Sequence, residues 1–157
     1  MGMEDVYFQK FKQHFGGFSS VIHKMPSAFR RLEEGGELDI NQSSWRVMIG
    51  RGHSPEHVCL YNEERGVLLS GDQVIPRITS NVSVMAVEPE GNPLQQWLDS
   101  LQRFFELPEA TLILPAHNEP FTGLHHRLQF LLDHHEDHLQ ALEEACISPQ
   151  TAKALLP

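Results

Sequence analysis

The stretch GRGHSPEHVCLYNEERGVLLSGDQVIP (residues 50–76) decides the fold predicted for this chain. Two apolar runs lie on either side of a polar turn that ends in Gly66, a pattern typical of two strands joined by a short connection. Side chains that can bind metals stand beside these runs, with His53 and His57 at the first and Asp72 directly after the second. The stretch therefore predicts neighbouring strands whose ends carry imidazole and carboxylate groups.

The remaining periodicity predicts a layered structure. Residues 37–50 alternate between apolar and polar side chains and predict a second hairpin. Residues 92–108 begin with an Asn-Pro pair and carry one apolar stripe, which is typical of an amphipathic helix. A short buried strand within 110–118 and a long helix over 123–145 follow. The order β-β-β-β-α-β-α predicts an α/β fold.

The sequence pattern divides the chain into three parts. Residues 1–36 predict a helical segment that precedes the sheet, since apolar residues recur at helical spacing over residues 3–34 and a Gly-Gly pair follows. Residues 37–146 hold the strands and the two main helices. Residues 147–157 predict the beginning of a further helix, which ends at a proline.

Composition restricts the class of protein. A chain of 157 residues fits one ordinary domain with a hydrophobic core. The net charge of −9 repels phosphate backbones, which argues against a nucleic acid partner. We see no apolar run of membrane-spanning length and no secretory signal, and Cys59 and Cys146 lack a CxxC spacing. These features favour a protein of the reducing cytoplasm without a membrane partner.

Three positions share one pattern, a side chain of metal-ligand type just beyond an apolar strand. They are His53, Asp72 and His117. Imidazole and carboxylate are the usual protein ligands of zinc, and they also suit iron and manganese. A single histidine after a strand is more often a structural loop residue. Three such positions together make a metal site an equal alternative.

Two other groups have a simpler interpretation. His134 and His138 lie four residues apart in the long predicted helix, but its leucines form the packing stripe and leave these histidines on the solvated side. The helix lacks an HExxH motif. Cys59 lies within a predicted strand, where a small core residue is a better interpretation than a nucleophile.

Three motifs of the chain, GHSPEH, LLSGD and LPAHN, carry a family resemblance. In their order and approximate spacing they resemble the later metal-site motifs of the metallo-β-lactamase superfamily, over about residues 37–140. The resemblance implies an αββα sandwich of which this chain holds the second half, a mixed sheet with flanking helices. It also implies that residues 37–146 are the C-terminal part of such a domain.

The resemblance assigns roles to individual residues. His53 matches the third histidine ligand of one metal, and His117 matches the last histidine, on the second metal. Asp72 matches the aspartate that bridges both metals in the catalytic centre. His57 matches a supporting histidine that is not a ligand. Asn118, beside His117, is a candidate either for substrate contact or for shaping the loop.

The family's earlier H-x-H-x-D-H motif has no counterpart here, since His14 and His23 stand alone. We therefore expect the chain to be part of a longer hydrolase that acts on a small-molecule ester, thioester or lactone with zinc, iron or manganese. A catalytic zinc needs about three protein ligands, and the remaining ligands divide between two subsites. We expect weak or no metal binding and no useful hydrolysis by this chain alone. Residues 147–157 resemble the entry into a C-terminal helical domain of some members.

The alternative is a metal-free α/β module without a catalytic role. Half of a two-sheet sandwich leaves uncovered the apolar face on which the other sheet packs. A second copy of the chain is the simplest partner for such a face. The sequence therefore also predicts a homodimer that buries this face.

Overall fold

Five strands form one mixed sheet in the computed structural model, which describes residues 27–86 and 88–155. The strands are neighbours in the order in which they occur along the chain. One helix lies between the fourth and fifth strands, and two helices follow the fifth. The elements are β1 (Glu37–Ile40), β2 (Ser43–Gly50), β3 (His57–Asn62), β4 (Val67–Gly71), α1 (Pro93–Phe104), β5 (Leu112–Pro115), α2 (Leu124–Ala145) and α3 (Ala152–Leu155).

Local sequence explains the antiparallel part of the sheet. β1 and β2 are joined by Asn41 and Gln42, both at positive φ (52° and 64°), as a two-residue hairpin turn of matching twist requires. The β3–β4 connection is closed by Asn62, whose side chain accepts a hydrogen bond from the backbone N–H of Arg65 at 2.8 Å. Gly66 at φ +61° completes that turn. β1, β2, β3 and β4 pair antiparallel in sequence.

The fifth strand completes a mixed sheet. β5 pairs parallel with β4, and a parallel pair needs a long crossover, which α1 supplies. Asn92 caps α1 by accepting a hydrogen bond from the backbone N–H of Gln95 at 3.1 Å. The predicted α/β fold, a mixed sheet with flanking helices, is confirmed.

The hydrophobic core lies between one face of the sheet and the two long helices. Alternate residues of the central strands point into it, and Leu68 on β4, for example, is fully buried. Burial of each large apolar side chain stabilises the fold by about 1.5–3 kcal/mol. The main members are Met48, Cys59, Tyr61, Leu68, Trp97, Leu101, Phe104, Leu107, Ile113, Leu124, Leu128 and Leu131.

The opposite face of the sheet is also apolar, and we refer to it as the second sheet face. Register places Val47, Leu60, Leu69 and Leu114 side by side across β2 to β5. Leu60, Leu69 and Leu114 are only half-buried. Other side chains of this face are more exposed: Ile40, Val58 and Leu112 show 42%, 38% and 37% of their surface.

The predicted helix over residues 3–34 is wrong where the structure describes it. Residues 1–26 lie outside the described residues, and residues 27–33 are irregular up to a turn at Glu34 and Gly35. Pairing with β2 replaces helical hydrogen bonds here, because Gly35 donates to the carbonyl of Val47 at 2.9 Å and Val47 donates to that of Gly36 at 2.8 Å. The Glu34 carboxylate also accepts a hydrogen bond from the backbone N–H of Ile49 at 2.6 Å.

Contacts divide the chain into two compact units. One spans Leu32–His138 and holds the sheet, α1 and most of α2. The other combines Met1–Arg31 with Leu139–Pro157, and its described part includes the single turn of α3. Among the described residues, no helix has both the length and the apolar character that crossing a membrane requires. The helical domain predicted to begin at residue 147 stays a prediction.

Candidate functional site

Strand pairing brings the three predicted ligand loops to one edge of the sheet. Gly50, the last residue of β2, pairs with His57, the first of β3, so the loop over residues 51–56 lies at this edge. Gly71 at the end of β4 pairs with Pro115 at the end of β5. Because these two strands are parallel, the loops that follow them begin side by side.

Asp72 lies at the centre of the candidate site. Its Oδ1 is 3.2 Å from Nε2 of His117, and its Oδ2 is 3.7 Å from Nε2 of His53. The carboxylate therefore turns each of its two oxygens towards a different imidazole. His117 is 66% exposed, whereas Asp72 and His53 are 27% and 29% exposed, so the site opens on the side of His117.

The donors fit a transition metal in kind and in spacing. Two ligand atoms of one ion with bonds of about 2.1 Å lie roughly 3.0–3.7 Å apart, and both carboxylate–imidazole separations fall in this range. Among residues 27–86 and 88–155, however, no three His, Cys, Asp or Glu side chains have the arrangement of a metal site. The described donors thus form two pairs that share Asp72, each smaller than the usual set of three protein ligands.

The loop after Asp72 fixes the tautomer of His53. Nδ1 of His53 lies 2.9 Å from the carbonyl oxygen of Asn81. A carbonyl only accepts hydrogen bonds, so Nδ1 carries a proton, and Nε2 is the nitrogen that faces Asp72. Metal-binding histidines are commonly oriented in this way by a hydrogen bond at their other nitrogen.

His57 contacts the backbone of Asp72. Its Nε2 accepts a hydrogen bond from the backbone N–H of Asp72 at 3.0 Å. Burial lowers the pKa of His57 below its ordinary value, and the neighbouring His53 lowers it further, against smaller opposing effects of Asp72 and the backbone of Ser70. His57 is therefore held neutral with Nε2 occupied, an arrangement that suits support better than metal ligation. Its supporting role stays a prediction.

Gly71 leaves the space that His57 occupies. Its φ of +54° belongs to the left-handed region, which favours glycine. A Cβ atom at Gly71 would also collide with Nε2 of His57. The glycine of the LLSGD motif is thus required both by the turn and by the adjacent imidazole.

The segment that follows Asp72 is held by residues that the sequence did not indicate. Ser80 Oγ donates a hydrogen bond to the Asp72 carbonyl. Arg127 on α2 donates from Nε to the carbonyl of Ile75 at 2.7 Å and from Nη2 to that of Ile78 at 2.8 Å. The sequence held one indication of a special role for Arg127. Position 127 falls on the leucine stripe of α2, where a charged residue is unexpected.

Asn118 lies in the exposed loop that follows His117. Its φ is +68°, a conformation that asparagine adopts more readily than most residues. Backbone hydrogen bonds between Ile113 and Phe121 close this loop, and Glu119 forms an ion pair with Arg77 at 2.9 Å. The loop geometry agrees with a shaping role for Asn118, and contact with substrate stays a prediction.

The other candidates of the sequence make different contacts. His134 and His138 lie next to each other on α2 with ring centroids 4.2 Å apart, and His135 contacts Trp97 edge to face at 5.0 Å. Cys59 is fully buried, and burial raises the pKa of its thiol to about 12. The interpretation of Cys59 as a core residue is confirmed.

The fold and the site define a class of α/β protein in which imidazoles and a carboxylate gather where the strands end. Known proteins of this kind match the chain. The profile of the metallo-beta-lactamase superfamily matches residues 4–117. The chain therefore belongs to the metallo-beta-lactamase superfamily, and the match begins well before residue 37, where the motif resemblance began.

Three relatives illustrate the similarity. The solved structure of a beta-lactamase domain protein from Burkholderia ambifaria is 44% identical, with a TM-score of 0.79 over 86% of this chain and 43% of that protein. A probable metallo-hydrolase of Bacillus subtilis, YqjP, is 30% identical over 62% of this chain and 31% of its own length. A hydroxyacylglutathione hydrolase of Francisella tularensis subsp. novicida is 29% identical over 65% of this chain and 38% of its own length. The chain thus spans less than half the length of each.

Proposed function

We propose that this chain contributes Asp72, His53 and His117 to the active site of a metal-dependent hydrolase that cleaves a thioester or a related ester or lactone. The carboxylate of Asp72, which turns one oxygen to each imidazole, carries the proposal. The relative named as a hydroxyacylglutathione hydrolase favours a thioester, and the relative named as a probable metallo-hydrolase favours metal dependence.

The residues at this edge of the sheet would have different roles in the active site. His53 and His117 would hold metal through Nε2, with Asp72 between them, and zinc, iron and manganese all suit these donors. A metal bound here supplies a Lewis acid and a water of lowered pKa. Asn81 keeps the proton of His53 on Nδ1, and His57 holds the backbone of Asp72 in place.

We also propose that the chain by itself binds metal weakly and hydrolyses little. Within the described part of the chain, each histidine of the site shares only Asp72 as a second ligand. The sequence has no H-x-H-x-D-H motif to complete either pair. Affinity of a metal site rises with the number of preformed ligands, because an unordered partner must first be fixed. Two donors in each half predict a dissociation constant for zinc far above that of a complete site.

Titration of the purified chain with zinc tests the site. Elemental analysis after purification should find substoichiometric metal, and calorimetry should show weak binding that Asp72→Asn removes. Asp99→Asn is the matched control, since Asp99 is an exposed carboxylate on α1 that accepts a hydrogen bond from Gln95 Nε2 at 2.8 Å. Stoichiometric metal that survives purification would overturn weak binding, and equal titrations for both variants would overturn the assignment of Asp72.

Hydrolysis assays test the substrate class. A hydroxyacyl thioester of glutathione, the matching oxygen ester and a lactone are compared with zinc, manganese or iron added. The proposal expects slow turnover of the thioester that depends on metal and on Asp72. Metal-dependent cleavage of the lactone or the ester alone would contradict the thioester assignment. Equal rates for the wild type and Asp72→Asn would contradict the proposed active site.

A second candidate role rests on the second sheet face. We propose that two copies of the chain associate through it, because this face is apolar and its residues Ile40, Val58 and Leu112 are more than a third exposed. Soluble monomers rarely expose a continuous apolar surface of this kind. The role requires no metal and no catalytic residue.

Light scattering at micromolar concentration tests the association. The wild type should be a dimer, and Val58→Lys or Leu112→Lys should shift it to a monomer. Ile147→Lys is the control, since Ile147 is 88% exposed and lies outside the sheet. A monomeric wild type, or dissociation caused equally by Ile147→Lys, would rule out the second sheet face as the interface.

We further propose a cytoplasmic location. Both Cys59 and Cys146 are free thiols, as expected for a protein of a reducing compartment. Fractionation of cells that express the natural gene should place the protein in the cytoplasmic fraction. Recovery from an oxidising compartment would contradict this location.

A further inference from the structure

We propose that Arg127 is a positioning residue that holds the segment 73–81 in the conformation that orients both Asp72 and His53. Arg127 lies on α2, outside the ligand loops and outside every motif that identifies the site. The importance of the arrangement for catalysis rests on the proposed function. The structural coupling itself does not require metal or substrate.

The surroundings of Arg127 are unusual for a charged side chain. Arg127 is only 8% exposed, and no carboxylate among the described residues pairs with it. Burial lowers the pKa of Arg127 from its ordinary value. A buried cation without an opposite charge is unfavourable unless its donors are satisfied. Leucine or methionine would fill this position on the apolar stripe of α2 at lower cost.

The hydrogen bonds of Arg127 explain why a guanidinium is present. Nε donates to the Ile75 carbonyl at 2.7 Å and Nη2 to the Ile78 carbonyl at 2.8 Å. The guanidinium also lies over the ring of Phe130, 5.0 Å from its centroid. Its planar set of donors in fixed directions can hold two carbonyls at once, which the single ammonium of lysine does less well. Arg127 thus fixes two points of one loop.

Hydrogen bonds hold the segment at both of its ends, and its second end reaches the candidate site. At its beginning, Ser70 Oγ donates to the Val74 carbonyl at 2.7 Å. At its end, Ser80 donates to the carbonyl of Asp72, and Asn81 accepts the Nδ1 proton of His53. A shift at Ile78, only two residues before Ser80, would therefore disturb both contacts.

Removal of the guanidinium should release the end of the segment while the sheet stays folded. The carbonyls of Ile75 and Ile78 then lose their donor. Val74 and Ile75 remain anchored, since they are 0% and 2% exposed, but Ile78 is 60% exposed and has no comparable anchor of its own side chain. The Asn81 carbonyl would leave its place beside His53. Without that acceptor His53 populates both neutral tautomers.

Nuclear magnetic resonance of the metal-free protein tests the proposal. The imidazole ¹⁵N signals report the tautomer of His53, and amide hydrogen exchange reports local opening at Asp72. In Arg127→Gln the single Nδ1–H tautomer should give way to a mixture, and the Asp72 amide should exchange about tenfold faster or more, as expected when hydrogen bonds to a charged group are lost. Arg127→Lys should give an intermediate result.

Two controls separate positioning from general stability. The first control is hydrogen exchange at the Val47 amide, which donates to the carbonyl of Gly36 at 2.8 Å. Its rate in Arg127→Gln should stay within twofold of the wild-type rate. General destabilisation of the fold would instead accelerate exchange equally at Val47 and Asp72. Arg46→Gln removes an arginine that pairs with Glu106 at 2.7 Å and does not contact the segment. It should leave the tautomer of His53 unchanged.

Three results would overturn the positioning role of Arg127. A single His53 tautomer in Arg127→Gln, or equal acceleration at Asp72 and Val47, would overturn it. If Arg127→Gln does not fold, Arg127→Lys decides, and wild-type behaviour of that variant at both readouts would overturn it. Equal zinc titrations of the wild type and Asp72→Asn, together with loss of the single tautomer in Arg127→Gln, would refute the proposed function and leave the positioning role intact.

Discussion

Substitution of Gly71 by alanine tests the packing of the candidate site most directly. Gly71 has φ +54° and no room for a Cβ atom, which would collide with Nε2 of His57. Gly66, at the other end of the same strand, has φ +61° but nothing within 4 Å of the position of its Cβ. Both glycines have a left-handed backbone conformation that would strain an alanine, but only Gly71 has a close neighbour at the position of the Cβ atom. Gly66→Ala is therefore a matched control.

The expected destabilisation has two contributions, the backbone conformation of each glycine and the contact of position 71 with His57. A left-handed conformation costs a residue with a Cβ atom about 1–2 kcal/mol, and this is the whole expected effect of Gly66→Ala. Gly71→Ala adds displacement of the His57 ring and loss of its hydrogen bond with the backbone N–H of Asp72, 3.0 Å long, which costs about 1–3 kcal/mol more. We expect about 2–5 kcal/mol of destabilisation for Gly71→Ala.

Urea unfolding followed by tryptophan fluorescence measures both free energies. A double-mutant cycle then isolates the clash, since in a His57→Ala background the added methyl group has space and Gly71→Ala should cost only as much as Gly66→Ala. The coupling between positions 57 and 71 should reach about 1–3 kcal/mol, as for residues in direct contact.

Two results would refute this reasoning. One is a cost of Gly71→Ala no larger than that of Gly66→Ala, which would mean that the imidazole moves aside freely. The other is an equal cost of Gly71→Ala with and without His57, which would place the effect in the backbone alone. A supporting result would show that the LLSGD glycine is needed for the His57–Asp72 contact.

Four further predictions concern the cysteines, the first helix and the core. A thiol reagent at pH 8 should modify only Cys146 in the native chain, because Cys59 is fully buried and its pKa is raised to about 12; rapid modification of both would contradict this. That pKa is raised from 9.0. The contribution of Cys59 to stability is therefore complete below pH 9 and is lost as pH rises towards 12. Over this range, the unfolding free energy of the wild type should fall relative to that of Cys59→Ala. Asn92→Ala should lower the free energy of unfolding, measured with a denaturant, by about 1 kcal/mol, because the N–H of Gln95 loses its capping acceptor. An unchanged free energy of unfolding would show that the cap is dispensable. Leu68→Ala should lower the free energy of unfolding by about 2–5 kcal/mol. A decrease below about 1 kcal/mol would show that the neighbouring core residues fill the space that Leu68 leaves.

Short-range pattern was sufficient for most of the strands and helices. Period-two alternation placed β2 and β3, and the Asn-Pro start with one apolar stripe placed α1 close to its observed bounds at Pro93–Phe104. It failed over residues 27–34, the described end of the helix predicted for residues 3–34. There the backbone of Gly35 and Gly36 pairs with Val47 instead, and a contact between residues so far apart in sequence leaves no local periodicity.

The sequence by itself determined the superfamily and the three residues proposed as ligands, because motifs record which side chains follow which strands. Only the tertiary structure showed how these side chains relate. It turned the two oxygens of Asp72 to different imidazoles, and it revealed the buried Arg127 that holds the loop between Asp72 and His53. These facts depend on hydrogen bonds between distant segments, whose direction and length arise only when the chain is packed and are not encoded in the spacing of residues along it.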